Sequence, residues 1–265
     1  MEGKKGIVMG VANERSLAWG VAKLLAEAGA EMVFSYQSET LYKRVKPLAD
    51  KLGNVDLIEC DVSSDESVEA LMEKVAAKFG KIDFIVHAIA FSDRNELAGK
   101  YVATSRENFL NTMDISCYSF TSVCQKADKY LADGASLLTL TYLGAERVFP
   151  HYNVMGVAKA ALEASIKYLS VDFGDRGIRV NGLSAGPVKT LASAGIGDFK
   201  YILKWSQYNS PLKRNTTLED VGGTGVFLLS DLASGVTGEI VHADSGYHVV
   251  GMKAVDAPDI TAEQD

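Results

Sequence analysis

"GIVMGVANERSLAWGVAKLLAEAGAEMVFSYQ", residues 6–37, is the stretch that decides the fold. It opens on "GIVMG" (6–10), apolar on successive residues, as a strand buried on both faces should be. A helical pattern follows near 16–29 and stops at Gly29, and "EMVFSYQ" (31–37) supplies a second strand. Strand, helix and strand in that order predict a right-handed β-α-β unit with parallel strands. The intervening turn, "GVANERSLAWG" from Gly10 to Gly20, points backbone N–H groups and a helix N-terminus at whatever lies above it, which favours an anion such as a pyrophosphate. Only its two ends are glycines, so it is not G-x-G-x-x-G, and Ser16 stands where it can cap the helix and touch phosphate. Alone, the turn reads equally well as an ordinary connection.

The same alternation continues. Further strand candidates are "VDLIECDV" (55–62), "IDFIVHAIA" (82–90), "SLLTLTY" (136–142), "IRVNGLSA" (178–185) and "GEIVHADSG" (238–246). Helical patterns lie near 40–52, 66–79, 104–131, 153–173 and 217–230, with Gly53, Gly80 and Gly174 where helices should stop. The pattern predicts one α/β domain over 1–265, with a parallel sheet covered on both faces. The stretch 186–216 is too long for a simple connection, and long excursions at the carboxyl edge of such a sheet usually cover a ligand.

The bulk numbers narrow the classes. A formal net charge of −7 argues against non-specific binding to nucleic acid or anionic membrane. The N-terminus "MEGKKGIVMG" lacks a signal-peptide pattern and no segment reaches 18 apolar residues, so a cytoplasmic, non-membrane protein is expected. Cys60, Cys117 and Cys124 read as reduced thiols. His87, His151, His242 and His248 are scattered and read as core or surface residues, so no metal site is expected.

Four strand ends carry chemistry suited to a dinucleotide. After Gly10 and Ser16 comes Gln37, ending the second strand where a residue normally reads the adenosine ribose; its amide bonds hydroxyls without charge. Asp61 can accept from the adenine amino group while Val62 packs on the ring; the other reading of Asp61 is an acid ahead of the helix that "SSDES" begins. Ala88 and Ala90 let a cofactor lie close to the fourth strand's end. Further along, Tyr152 and Lys159 are seven apart, about 20° short of two helical turns, so a helix projects both from one face. A cation near a phenol makes the hydroxyl a stronger donor to developing negative charge. The bland reading is a core tyrosine and a surface lysine.

The chain closely resembles the NADH-dependent enoyl-acyl-carrier-protein reductases, a divergent branch of the short-chain dehydrogenase/reductase family. The likeness runs from "GVANERSLAWG" through "YQSE", "CDV" and "LLTLTYLGAERVFPHYNVMGVAKAALEAS" to "SAGPVKTLASAGIGDF" and "GEIVHADSG". It implies a Rossmann-type doubly wound domain with a seven-stranded sheet, a homotetramer, and a loop after strand six, about 187–216, that closes over cofactor and acyl chain. It implies NADH/NAD held by Gly10, Ser16, Leu17, Gln37, Asp61, Val62, Ile89, Lys159, Val188, Lys189, Thr190, Leu191 and Ala192. Tyr142, Tyr152 and Lys159 become catalytic, and Ser92, Tyr142, Tyr152, Met155, Ile196 and Phe199 substrate-binding. Ile196 and Phe199 read equally as loop anchors. Ala90 stands where many members have Gly, and His151 where Asn is common; the resemblance gives His151 no role. An acyl carrier protein is the implied partner, and Lys200, Lys204, Lys213 and Arg214 offer it a basic rim.

The spacing of the tyrosines fits that chemistry. A ketone reductase of this family carries Tyr four residues before its Lys and Ser thirteen before that Tyr; here those places hold Met155 and Tyr142. Ketone reduction needs a proton beside the carbon that takes hydride. Enoyl reduction sends hydride to the β-carbon and builds charge on the thioester oxygen, so the donor must move, and a tyrosine one turn earlier moves it. Lys159 is then expected to hold the nicotinamide ribose and Tyr152 to donate to the enolate oxygen. Tyr142 is left between shaping the pocket, guiding protons and restraining the thioester. A non-catalytic dinucleotide sensor is the rival from another class.

Overall fold

The computed structural model describes residues 1–53, 55–190 and 198–260. The stretch 6–37 contributes β1 (Lys5–Met9), α1 (Leu17–Glu27) and β2 (Glu31–Tyr36), with β1 and β2 parallel and Ile7 opposite Val33. There follow α2 (Glu39–Lys51), β3 (Asp56–Glu59), α3 (Asp65–Phe79) and β4 (Ile82–His87). After a short α4 (Arg94–Leu97) come α5 (Arg106–Met113), α6 (Ser119–Ala127), β5 (Leu131–Thr141), α7 (Asn153–Asp172) and β6 (Arg179–Ala185). The chain then forms α8 (Phe199–Asn209), α9 (Leu218–Leu229) and β7 (Ile240–Ala243). All seven strands are parallel, in the order β3-β2-β1-β4-β5-β6-β7.

The apolar runs are explained by the two cores they serve. Successive strand side chains point to opposite faces. Ile7, Met9, Ile85, Leu137 and Val180 join one buried cluster with residues of α3, α6 and α7. Their neighbours Val8, Val86 and Leu138 join the other, with residues of α1, α2 and α9. Neither face meets water, so the central strands are mostly apolar, and polar members such as His87 and Thr139 bond one another.

The structure departs from expectation in four places. The helical pattern near 104–131 is interrupted by a π-helical turn at Asp114–Tyr118, which separates α5 from α6. The fifth strand starts at Leu131 rather than 136: Leu131 pairs with Ile82 and Ser136 with Phe84, so residues 132–135 bulge around Gly134 (φ +78°). α7 stops just ahead of Gly174 as expected, but Gly174 is not a left-handed cap. It opens a 3-10 turn, and Gly177 takes the left-handed conformation before β6. The excursion 186–216 is not all loop, since it contains α8.

Strand order reverses between β1 and β4, and ligands of open α/β sheets bind at the carboxyl ends beside such a reversal. Gly10, Gln37, Ala88 and Tyr142 follow directly on β1, β2, β4 and β5, and Asp61 lies two residues past β3.

Candidate active site

At the reversal, Gly10 (φ +97°) lies so close to β4 that a Cβ there would meet Ala88 O at 2.1 Å. Only glycine supplies both the conformation and the room. Beyond it, Ser16 Oγ accepts from the amides of Ala12 (3.0 Å) and Asn13 (3.1 Å). Ser16 is the N-cap of α1 by position, but its side chain does not cap the helix as expected; it folds back and sets the turn. Leu17, Val62 and Ile89 are partly buried against the two cores.

Gln37 and Asp61, expected to read the adenosine half, meet each other: the Gln37 amide hydrogen-bonds the Asp61 carboxylate. Asp61 also accepts from Ser63 N (3.0 Å) and Ser63 Oγ (2.8 Å), and these bonds, chiefly the backbone one, hold its carboxyl below the usual range. It also lies ahead of α3, as its other reading had it, three residues before the N-cap Ser64. Val188, Lys189 and Thr190 follow β6 with partial to full exposure. Leu191, Ala192 and Ile196 lie outside the described residues.

The tyrosines come together. The rings of Tyr142 and Tyr152 meet edge to face with centroids 5.1 Å apart, and Phe149 covers Tyr142 at 5.0 Å. Gly144, in the 3-10 turn Leu143–Ala145, makes room for this: a Cβ there would lie 2.3 Å from Tyr152 Cδ1. Tyr152 precedes α7 rather than lying within it, between two left-handed residues, His151 (φ +59°) and Asn153 (φ +42°). Asn153 holds this entry by donating to Leu97 O (3.1 Å) and Gly99 O (2.8 Å). Tyr152 therefore lies one residue outside the helix expected to project it from the same face as Lys159.

Lys159 is buried, and its ammonium donates to Leu140 O at 2.8 Å, not to the phenol. Burial pushes it down to about 8, against a smaller upward pull from Cys117 and Glu163. Burial, then the charge of Glu163, pushes the Tyr152 phenol up. A desolvated site favours the neutral form, and the lysine's charge is directed elsewhere. Tyr152 therefore keeps its proton and is a hydrogen-bond donor. Burial raises Tyr142 too, with Tyr152, Tyr247 and Asp244 adding to it.

Met155 is buried one turn below Tyr152, and Phe199 is half-buried at the start of α8. Beside the tyrosines a cleft is lined by Tyr142, Phe149, Pro187, Ile202, Trp205 and Tyr247, so α8 forms one wall of it. Ser92 is placed differently. Its hydroxyl is buried in a knot with Thr112 Oγ1 (2.9 Å) and the Asn108 side chain (3.2 Å), tying the segment after β4 to α5. His87 is a core residue, between Thr139 Oγ1 (3.2 Å) and Ser119 Oγ (2.9 Å), and burial drives it down to about 3.

The expected basic rim lies along α8 and the turn that follows it, with all four side chains exposed. Arg214 is paired with Asp220 (Nη2 to Oδ1, 2.9 Å) and Lys213 with Asp256 (3.8 Å). Lys200 and Lys204 are exposed one turn apart on α8. Two contributors gave no signal in the sequence. Gly144 looks like any turn glycine, and His151 is tied to Asp198 at the N-cap of α8 (Nε2 to Oδ2, 3.1 Å).

Comparison with known proteins places this arrangement. The family model described as enoyl-(acyl carrier protein) reductase matches residues 10–248. The chain is 63% identical to enoyl-[acyl-carrier-protein] reductase [NADH] 1 of Rhizobium meliloti, over 100% of this chain and 97% of the relative. It is similar to the crystal structure of the Anaplasma phagocytophilum enoyl-(acyl-carrier-protein) reductase in complex with NAD, with a TM-score of 0.93 and 60% identity over 98% of this chain and 97% of the other. The Bacillus cereus enoyl-acyl carrier protein reductase with NADP+ and indole naphthyridinone has the same TM-score of 0.93 at 51% identity, over 95% and 98%. The chain belongs to the enoyl-(acyl carrier protein) reductase family.

Proposed function

We propose that this protein is an NADH-dependent enoyl-acyl-carrier-protein reductase that saturates trans-2-enoyl thioesters, the last reductive step of the fatty-acid elongation cycle. The observation that carries the reading is the pair of packed tyrosines, with Tyr152 buried as a neutral donor and Met155 in the place a ketone reductase gives to tyrosine. The cofactor fits this chain's residues: the Gly10 cradle leaves no room for a side chain, and the turn held by Ser16 suits a pyrophosphate. Gln37, Asp61 and Val62 would hold the adenosine half. Ile89, Lys159 and the segment Val188–Thr190, continuing through Leu191 and Ala192, would hold the remainder. When bound, NADH supplies hydride to the β-carbon. Tyr152 donates to the thioester oxygen, where charge accumulates, and a donor aimed there lowers the barrier because its bond strengthens as the charge develops. Lys159 holds the nicotinamide ribose. Tyr142 restrains the Tyr152 ring and shapes the thioester pocket, with Met155, Ile196 and Phe199 as apolar contacts to the acyl chain; Ser92 acts through the segment it anchors. The NADH preference rests on the neutral Gln37 and on Lys43 being engaged by Glu39 at 3.6 Å.

The acidic carrier protein docks on the exposed basic rim of Lys200, Lys204, Lys213 and Arg214, and the enzyme works as a cytoplasmic homotetramer. No helix among the described residues is long and apolar enough to cross a membrane. The test offers the purified enzyme enoyl and 3-oxoacyl thioesters of equal length with NADH, following absorbance at 340 nm. Enoyl reduction is expected to dominate, and Tyr152→Phe to slow it on the order of 10²-fold with NADH affinity unchanged. Faster turnover of the 3-oxoacyl thioester overturns the reading, and no turnover of either points to a sensor.

A further inference from the structure

The end of β5 serves α7 twice. Leu140 O accepts from the Lys159 ammonium at 2.8 Å, and the next residue, Thr141, donates its hydroxyl to Glu163 Oε1 at 2.6 Å. Glu163 follows Lys159 by four residues, so the two stand one turn apart on the same side of α7. We propose that Glu163, held by the Thr141 hydroxyl, is a positioning residue that keeps the buried Lys159 ammonium charged for the cofactor ribose.

Among the described residues the buried ammonium has one carbonyl acceptor, which compensates poorly for the water it has lost. Among the described residues three titratable groups face Lys159: Cys117 from the π-helical turn, His87 from β4 and Glu163 from α7 itself. Burial pushes the Cys117 thiol up and the His87 imidazole down, so both are neutral where Lys159 is charged. The compensating charge is therefore that of Glu163. Its carboxyl is itself raised by burial, and the Thr141 bond is the largest influence pulling it back toward the ionised form.

The outer side of Glu163 is also built. Glu146, on the turn that carries Gly144, accepts from or shares a proton with His242 Nε2 on β7 at 2.8 Å. The His242 ring stacks on His248 at 4.1 Å, and His248 Nδ1 meets Asp244 Oδ1 at 3.0 Å. Glu146 raises the Glu163 carboxyl while His242 and Lys159 lower it, so pairing Glu146 with a histidine limits its repulsion of Glu163. The charge of Glu163 also reaches Tyr152 and favours its neutral phenol. One carboxylate thus supports both states the reaction needs, a charged lysine and a protonated tyrosine.

This inference rests on the reading of Lys159 as a cofactor ligand, and its test reads binding rather than turnover. NADH affinity is measured by fluorescence titration between pH 6 and 10 for the wild type, Glu163→Gln and Thr141→Val. The wild type should lose affinity on the alkaline side as Lys159 deprotonates. Without the carboxylate the ammonium is less favoured, so in Glu163→Gln the loss should begin about one pH unit lower, with affinity at pH 6 near that of the wild type. Thr141→Val removes only the hydroxyl, keeps the carboxylate and should move the midpoint the same way by less; it serves as the arm if Glu163→Gln folds poorly. An unmoved midpoint in Thr141→Val and Glu163→Gln overturns the proposal, as does a uniform weakening at every pH, which marks a purely structural role. Wild-type enzyme that binds NADH but reduces no enoyl thioester fails the functional reading and leaves this result to be judged separately.

Discussion

Gly144 determines how closely the Tyr152 ring can approach the backbone that follows β5. A methyl group at this position would overlap Tyr152 Cδ1 at 2.3 Å and come within 3.1 Å of the Tyr142 ring. The ring must then swing, taking the hydroxyl from where charge develops, and misplacement by about an ångström can cost on the order of 10²-fold. Gly144→Ala should therefore lower kcat by about that factor while NADH affinity stays unchanged, because the Lys159 seat on Leu140 O is separate. Parallel loss of NADH binding would show that the turn supports the cofactor as well. This is also where reading the chain by itself reached its limit. Tyr142, Tyr152 and Lys159 are legible because their residue types and spacing are unusual. The direction of the Lys159 ammonium is not, since it depends on a carbonyl of β5 that belongs to every residue alike. The expected cation beside the phenol was a property of an ideal helix, which His151 and Asn153 interrupt with left-handed backbone.

At the scale of elements, α9 shows how one carboxylate fixes a helix start. Asp220 accepts from Thr217 N at 2.9 Å while Thr217 Oγ1 accepts from Asp220 N at 3.2 Å, a reciprocal capping box, and Asp220 also binds Arg214. The side-chain bond from Arg214, then the Thr217 backbone bond, hold the carboxyl down at about 2. A carboxyl lowered on folding contributes stability that is present above its unfolded value near 3.8 and lost as pH falls toward 2. Asp220→Ala should cost about 1–2 kcal/mol at pH 7 by denaturant unfolding, in the range of a lost cap. The gap to the wild type should close between about pH 4 and pH 2; a gap that persists at pH 2 would locate the effect in packing. The strands are well marked in the chain, because burial on both faces leaves them mostly apolar, and the helical pattern near 217–230 marks α9. The π-helical turn, the bulge at residues 132–135 and α8 are not. Each is set by what packs against it, and α8 in particular follows a stretch that reads as loop by composition.

At the scale of the whole molecule, the outer surface of the layer that holds α5 and α7 carries exposed apolar side chains. On that side Leu110 of α5, Tyr118 of the π-helical turn, and Tyr168 and Val171 of α7 are exposed by 60%, 49%, 77% and 79%. Exposed apolar side chains gathered on adjoining helices mark an association surface more often than chance exposure. The sequence reading could place these residues on helices but not on the solvent side, since an amphipathic pattern does not say whether its weaker apolar stripe meets water or another subunit. A second copy related by a two-fold axis would cover each patch with its own equivalent, the arrangement commonest in closed oligomers. One such two-fold pairs two copies, and the proposed homotetramer needs a second interface besides it, so the wild type should sediment as a tetramer at micromolar concentration. Tyr168→Lys combined with Val171→Lys should shift it to a smaller species with the sheet intact by circular dichroism, because both positions face outward and neither side chain enters the core. Wild-type sedimentation as a 28.5 kDa monomer would overturn the assignment of this surface. An unchanged tetramer in the double variant would move the contact away from α7, leaving Leu110 and Tyr118 as the side chains to test next.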